Sequence, residues 1–216
     1  MEINKYVVID LEMNKIQYDK RAEKDQLRSE IIEIGAVIVD ENLNITDTFK
    51  TYVSPEHSLL DNYIKGLTGI KYSDVESAPV FKDAIKGFIK WLPKDSIIVS
   101  WSDNDKTQIE TEASSKGVDI SEMENYFDTW YDCQVEFTEK MNAQRIYKLS
   151  EALVIADIDY DENIHDALVD AKNTALLFIK MKKEKVLTLN KDYNDESQCK
   201  SHTYNPFEAF FLNTKK

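Results

Sequence analysis

Tyr6–Asp10 (YVVID) runs into Leu11–Asn14 (LEMN), and Glu30–Val39 (EIIEIGAVIV) follows after a polar gap. Tyr6–Asp10 is a short β-branched run ending on a carboxylate. Glu30–Val39 is longer and of the same texture, and both predict buried strands. Residues 15–29 (KIQYDKRAEKDQLRS) are polar and without period, which predicts a loop. Asp40–Asn44 supplies turn chemistry and Ile45–Val53 a third strand. The chain therefore opens on a predicted three-stranded meander.

After Pro55 the texture changes. Asn62–Ile70 contains Gly66 and Gly69 and predicts a short helix and turn. Ala78–Leu92 places Val80, Phe81, Ile85, Phe88, Ile89 and Leu92 at helical spacing, and Pro93 stops it. Ser96–Trp101 (SIIVSW) predicts a fourth strand, Asn104–Lys116 a helix closed by Gly117, and Tyr126–Trp130 a short fifth strand. Helices are expected over about 133–142, 149–156 and 166–182. Three antiparallel strands followed by alternating helices and strands imply an α/β fold. The sheet would be mixed and five-stranded, the meander plus two parallel strands, with helices on both faces. The predicted domain covers residues 1–182, and residues 183–216, which lose the periodicity, are read as a C-terminal tail or peripheral packing segment.

The bulk properties narrow the function. At 216 residues, 42 % hydrophobic and 31 % charged, the chain is long enough for a full core and is globular in composition. Its net charge of −13 argues against a protein that coats duplex DNA through its overall field. It does not argue against a site whose carboxylates are neutralised by bound cations. Cys133 and Cys199 form no CxxC pair, which suits a reducing compartment and excludes a zinc knuckle. No apolar run approaches the roughly 18 residues that cross a membrane, and no basic-then-apolar leader opens the chain, so a cytoplasmic protein without membrane contact is expected.

Three places carry chemistry. Asp10 and Glu12 stand at i and i+2 on one predicted strand, so both project from the same face. Side by side they repel unless a cation lies between them, and hard Mg²⁺ or Mn²⁺ prefers such oxygens. Asp105 opens a helix just past the fourth strand, close to the sheet edge where sites form, although Asp103 competes with it as a helix cap. Asp170 shares a helix face with Ala167, Thr174 and Leu177, an apolar or small setting that is costly for an unpartnered carboxylate. His165 lies five residues earlier, which on one helix would turn the two roughly 140° apart. The histidine is therefore placed in the loop before the helix.

In this order, VVIDLEMN, EIIEIGAVIVD, LTGI, WSDND and HDALVDAKNTALLF resemble the DEDDh 3'-5' exonucleases, a family of ribonuclease-H-like fold. The likeness runs from about Tyr6 to Ile179 and is greatest to the branch of the three-prime histone-mRNA exonuclease and the KapD-type enzymes. It matches Asp10 and Glu12 to the first motif, Asp105 to the second, and His165 and Asp170 to the third. Ser102 stands where the family has glycine, and Asp161–Ile164 before the histidine has no glycine. The resemblance implies two Mg²⁺ or Mn²⁺ ions held by Asp10, Glu12, Asp105 and Asp170, with His165 as general base for the attacking water. For Asp170 an orienting role is the second choice. It also implies a substrate with a single-stranded RNA or DNA 3' end, RNA slightly favoured, and nucleoside 5'-monophosphate products. Met13, Asn14, Leu67, Thr68 and Ile70 are the corresponding candidates to line the terminal-nucleotide pocket. Glu33 is read as structural support, Trp101 as core, and the basic run Lys180, Lys182, Lys183 and Lys185 as a helix C-terminus; Arg145, Tyr147 and Lys148 are weaker strand-binding candidates. The competing readings are a catalytically silent module that binds nucleic acid or protein, and a hydrolase of small phosphodiesters.

Overall fold

A computed structural model of the protein describes residues 5–17, 27–163 and 165–192. Strands β1 (Lys5–Lys15), β2 (Ser29–Asp40) and β3 (Ile45–Tyr52) form the meander. The β2–β3 turn is closed by Asp40, whose Oδ1 accepts the amides of Asn42 and Asn44. Helices α1 (Asn62–Thr68), α2 (Tyr72–Val75) and α3 (Phe81–Trp91) follow, then β4 (Ser96–Ser100) and α4 (Asn104–Lys116), which Gly117 ends in the left-handed conformation. A 3-10 turn (Ser121–Met123), α5 (Glu124–Asp128), β5 (Tyr131–Asp132), α6 (Cys133–Lys140), α7 (Leu149–Ile155) and α8 (Ala167–Lys183) complete the order. The sheet runs β3-β2-β1-β4-β5, with β4 parallel to β1 and β5 parallel to β4.

Two expectations change in detail. β1 does not stop at Asp10 but pairs with β2 as far as Lys15↔Ser29, with an irregularity between Glu12 and Met13. Asp10 and Glu12 thus lie inside a strand. The fifth strand is Tyr131–Asp132 rather than Tyr126–Trp130. Met123, Tyr126, Phe127 and Trp130 recur at helical spacing, and that period, packed against the core, outweighs the strand preference of the aromatic rings. Of the predicted 15–29 loop, residues 18–26 lie outside the described residues, as do residues 193–216 of the predicted tail. Residues following α8 pack back on the domain: Leu187 is buried and the Asn190 amide donates to Ile155 O at 2.9 Å.

The alternation of β1 sorts its side chains. Val7, Ile9 and Leu11 join α3 and α4 in one core. Val8 joins α6, α7 and α8 in the other, and by strand periodicity Asp10 and Glu12 share its face. Two polar fasteners fix the loop after β3. Buried Glu30 accepts the amides of Glu56 at 2.8 Å and Ser58 at 3.2 Å, and Lys116 Nζ at 3.0 Å. Asn14 donates to Leu59 O at 3.2 Å and accepts the Asp61 amide at 2.8 Å, which docks the start of α1 beside the end of β1.

At Gly35 on β2 the sheet backbone and a helix backbone come together directly. A Cβ there would lie 2.2 Å from Ala167 C and Leu168 N, so the first turn of α8 rests directly on strand backbone. Because both sides of the clash are main chain, Gly35→Ala should lower the unfolding free energy by about 3 kcal/mol or more, at the upper end of overpacking costs. Urea denaturation of the variant beside the wild type measures it.

Candidate functional site

The β1–β4 ladder ends at Val8↔Val99, and β1 continues past it. In that notch Asp105, from the first turn of α4, accepts the Leu11 amide at Oδ1 over 3.1 Å. Asp103 occupies the N-cap position without making a cap bond. Asp105 is buried although it opens a helix, because its carboxylate turns back onto the strand. Across β1, Glu12 faces Glu33 of β2 in the antiparallel register.

The third part arrives with α8. His165 lies in the loop before the helix, as its spacing from Asp170 requires, with a left-handed φ of 69°. That region is uncommon for a residue with a Cβ, though histidine enters it more readily than most. The His165 amide donates to Asp170 Oδ2 at 2.8 Å. One ligand atom each from Glu12, His165 and Asp170 all lie within 4.8 Å of one another. Asp10 stands beside this trio, close enough that Asp105, Asp170, Glu12 and Glu33 all act on its charge.

These carboxylates repel. Burial, followed by Asp105, Asp170, Glu12 and Glu33, holds Asp10 well above the usual carboxylate range. Glu12 is pushed up to about 8 by burial and then by Asp170, Glu33 and Asp105. Asp105 is raised to about 7, burial outweighing the backbone bonds that favour its charge. Asp170 is raised too, by burial against the opposing His165 amide. Among the described residues, no lysine or arginine forms an ion pair with Asp10, Glu12, Asp105 or Asp170. Acidic oxygens plus one imidazole, convergent and without a basic partner, fit a hard divalent cation.

The sequence matches the family described as Exonuclease over residues 7–178. The chain belongs to that family. It is 30 % identical to 3'-5' exoribonuclease 1 of Rattus norvegicus over 70 % of this chain and 46 % of that protein. It is 29 % identical to the DNA polymerase III PolC-type of Caldanaerobacter subterraneus subsp. tengcongensis, over 82 % of this chain and 11 % of that protein. The chain thus spans about half the length of the first relative and about a tenth of the second. Among solved structures, the nuclease domain of 3'hExo, a DEDDh family member bound to rAMP, has a TM-score of 0.70 at 23 % identity, covering 88 % of this chain and 98 % of that one. The fold shared with these exonucleases is ribonuclease-H-like.

Other sequence candidates are placed as follows. Met13 is half-buried, Leu67 exposed, and Asn14 fully buried in its bonds to Leu59 and Asp61. Thr68 Oγ1 donates to Ile64 O and accepts the Ile70 amide, while Ile70 packs in a small core with Leu60, Ile64 and Val75. Trp101 packs against Phe137. Tyr147 is buried beneath Arg145, which pairs with Glu151, so its ring is not a surface platform. Lys180 and Lys182 pair with Glu184 and Glu136. No helix among the described residues is long and apolar enough to cross a membrane. Two neighbours of the site escape the sequence reading: Lys50, which looks like an ordinary edge-strand lysine, and Asp166, which caps α8 through the Leu168 and Val169 amides.

The raised carboxylates set a pH dependence. Glu12 moves from 4.5 unfolded to about 8 folded, so the folded state binds more protons between those values. This group's contribution to stability is complete below 4.5 and is lost as pH rises through about 8. In chelator-treated protein, chemical denaturation across that window should show a steeper decline for the wild type than for Glu12→Gln, and saturating Mn²⁺ should reduce the decline.

Proposed function

We propose that the protein is a divalent-metal-dependent 3'-5' exonuclease of single-stranded nucleic acid, with RNA favoured over DNA and nucleoside 5'-monophosphates as products. One observation carries the reading: in a chain of the exonuclease family, Asp10, Glu12, Asp105 and Asp170 converge with His165 at one end of the sheet. The RNA preference rests on the exoribonuclease relative.

Asp10, Glu12, Asp105 and Asp170 would hold two ions, Mg²⁺ or Mn²⁺. Such a pair supplies Lewis-acid stabilisation of charge at the attacking and leaving oxygens of an in-line displacement. His165 is assigned as the general base: it takes the proton from water as the water oxygen bonds to phosphorus and the bond to the 3'-oxygen breaks. The imidazolium so formed sits beside the carboxylates of Glu12 and Asp170, which favour its charge. Asp170 has a second duty, since its Oδ2 also fixes the backbone of the base. Met13 and Leu67 offer surface to the terminal nucleotide, while Asn14, Thr68 and Ile70 hold the segments that carry them. The assigned domain is residues 1–182, with residues 183–216 an accessory segment, and the two cysteines suit a cytoplasmic setting.

The test is hydrolysis of 5'-labelled single-stranded 20-mers, RNA and DNA in parallel. Mn²⁺ should give a ladder shortening from the 3' end, faster on RNA, and a chelator should abolish it. His165→Ala should lower kcat by about 10² to 10⁴, the usual range for losing a general base. Uncut strands with both metals would favour the silent binding module. A dinucleotide cut as fast as the 20-mer would favour a small-phosphodiester hydrolase.

A further inference from the structure

Lys50 lies on β3 opposite Gly35, where the α8 backbone touches the sheet. Its Nζ is 2.9 Å from Glu33 Oε1 and also pairs with Asp166 Oδ2. Both partners bind the first turn of α8. Glu33 Oε2 accepts the Ala167 amide at 3.0 Å, and Asp166 Oδ1 accepts those of Leu168 at 3.0 Å and Val169 at 3.1 Å. One ammonium therefore joins the two carboxylates that fix residues 167–169. Immediately before that turn stand Asp166 itself and His165, which holds its left-handed φ. A conformation of that kind persists only where its surroundings over-determine it.

We propose that Lys50 is a positioning residue for His165, acting through Glu33 and Asp166. Without the cation, Glu33 and Asp166 become two like charges converging on one helical turn, and repulsion drives them apart. Asp166 adjoins His165 directly, so its displacement turns the imidazole away from Glu12 and Asp170. The other role open to a lysine here is a phosphate contact, since Lys50 also lines an open groove of about 500 Å³ with Tyr52, Asp74 and Pro79. A phosphate would have to displace two carboxylates already on the ammonium, one of them buried, which favours the positioning role.

This inference rests on the exonuclease reading with His165 as base, and two independent measurements separate the two. Steady-state kinetics on a single-stranded RNA 20-mer with saturating Mn²⁺ should show Lys50→Met losing about tenfold or more in kcat with KM within about twofold, the pattern of a misplaced catalytic group. Lys50→Arg should recover to within about threefold, and Asp166→Asn, which keeps the cap without the charge, should fall between. In a His165→Ala background Lys50→Met should cost nothing further. A rise in KM with kcat kept would make Lys50 a phosphate contact, and an equal loss in both backgrounds would make it merely structural; either overturns the proposal. Amide hydrogen exchange gives the readout without activity. Protection at His165 and Ala167 should fall about tenfold in Lys50→Met while α8 beyond Val169 is unchanged. Unchanged protection at both amides overturns the proposal even if the wild type cleaves nothing, an outcome that would sink only the exonuclease reading. If Lys50→Met does not fold, the same measurements are made on Asp166→Asn, where a loss of kcat and of protection supports the proposal and unchanged protection overturns it.

Discussion

At Gly35 the backbone of β2 meets that of α8 with no side chain between them. That approach sets the distance of the helix from the sheet, and the arrangement of the site follows from it. The first turn of α8 comes within reach of Glu33 from β2, and Lys50 from β3 completes the tie. Asp170 and His165 are then delivered to Glu12 on the neighbouring strand. The first turn of α8 carries Asp170 and gives its amides to Glu33 and Asp166, and the first turn of α4 carries Asp105. Each such helix end offsets part of the repulsion, by about 0.3–1 kcal/mol where screening is modest.

Two sets of buried acids in one molecule behave in opposite ways. Burial alone would raise Glu30, yet the Glu56 and His57 amides, the His57 ring and Lys116 bring it below the usual range. The fold is thus able to satisfy a buried carboxylate when it builds partners around it. At Asp10, Glu12 and Asp105 it builds no such set, and their affinity for protons stays high. The difference marks a place arranged to receive positive charge from outside the chain rather than one closed on itself.

Local pattern made much of this legible. Two carboxylates two residues apart on a β-branched run place themselves on one face, and Pro93 and Gly117 mark the ends of α3 and α4. The position of His165 outside α8 follows from helical geometry once the histidine is expected to face the same site as Asp170. What local pattern lacks is the identity of strand neighbours. β1 extends to Lys15 because β2 supplies partners that far, a fact absent from Leu11–Lys15 itself. Aromatic residues before β5 read equally as strand or helix until a core is available to pack against. Lys50 and Asp166 are 116 residues apart, and each alone looks like a solvated charge. Only the close approach at Gly35 turns them into a pair.

The carboxylate cluster on β1 has a consequence for how ligands would be admitted. A cluster of acids that no lysine or arginine among the described residues pairs with presents a negative potential to any polyanion that approaches it. On the proposed reading, a divalent cation lowers that barrier for a phosphate, and a phosphate bound there offers further oxygens to the cation. Thermodynamic linkage makes the two effects equal, so each ligand raises the affinity for the other by the same factor. The site would then fill as a ternary assembly: at a fixed concentration of free cation, the nucleic-acid end itself helps load the metal, and the loaded state is concentrated where there is a strand to cut.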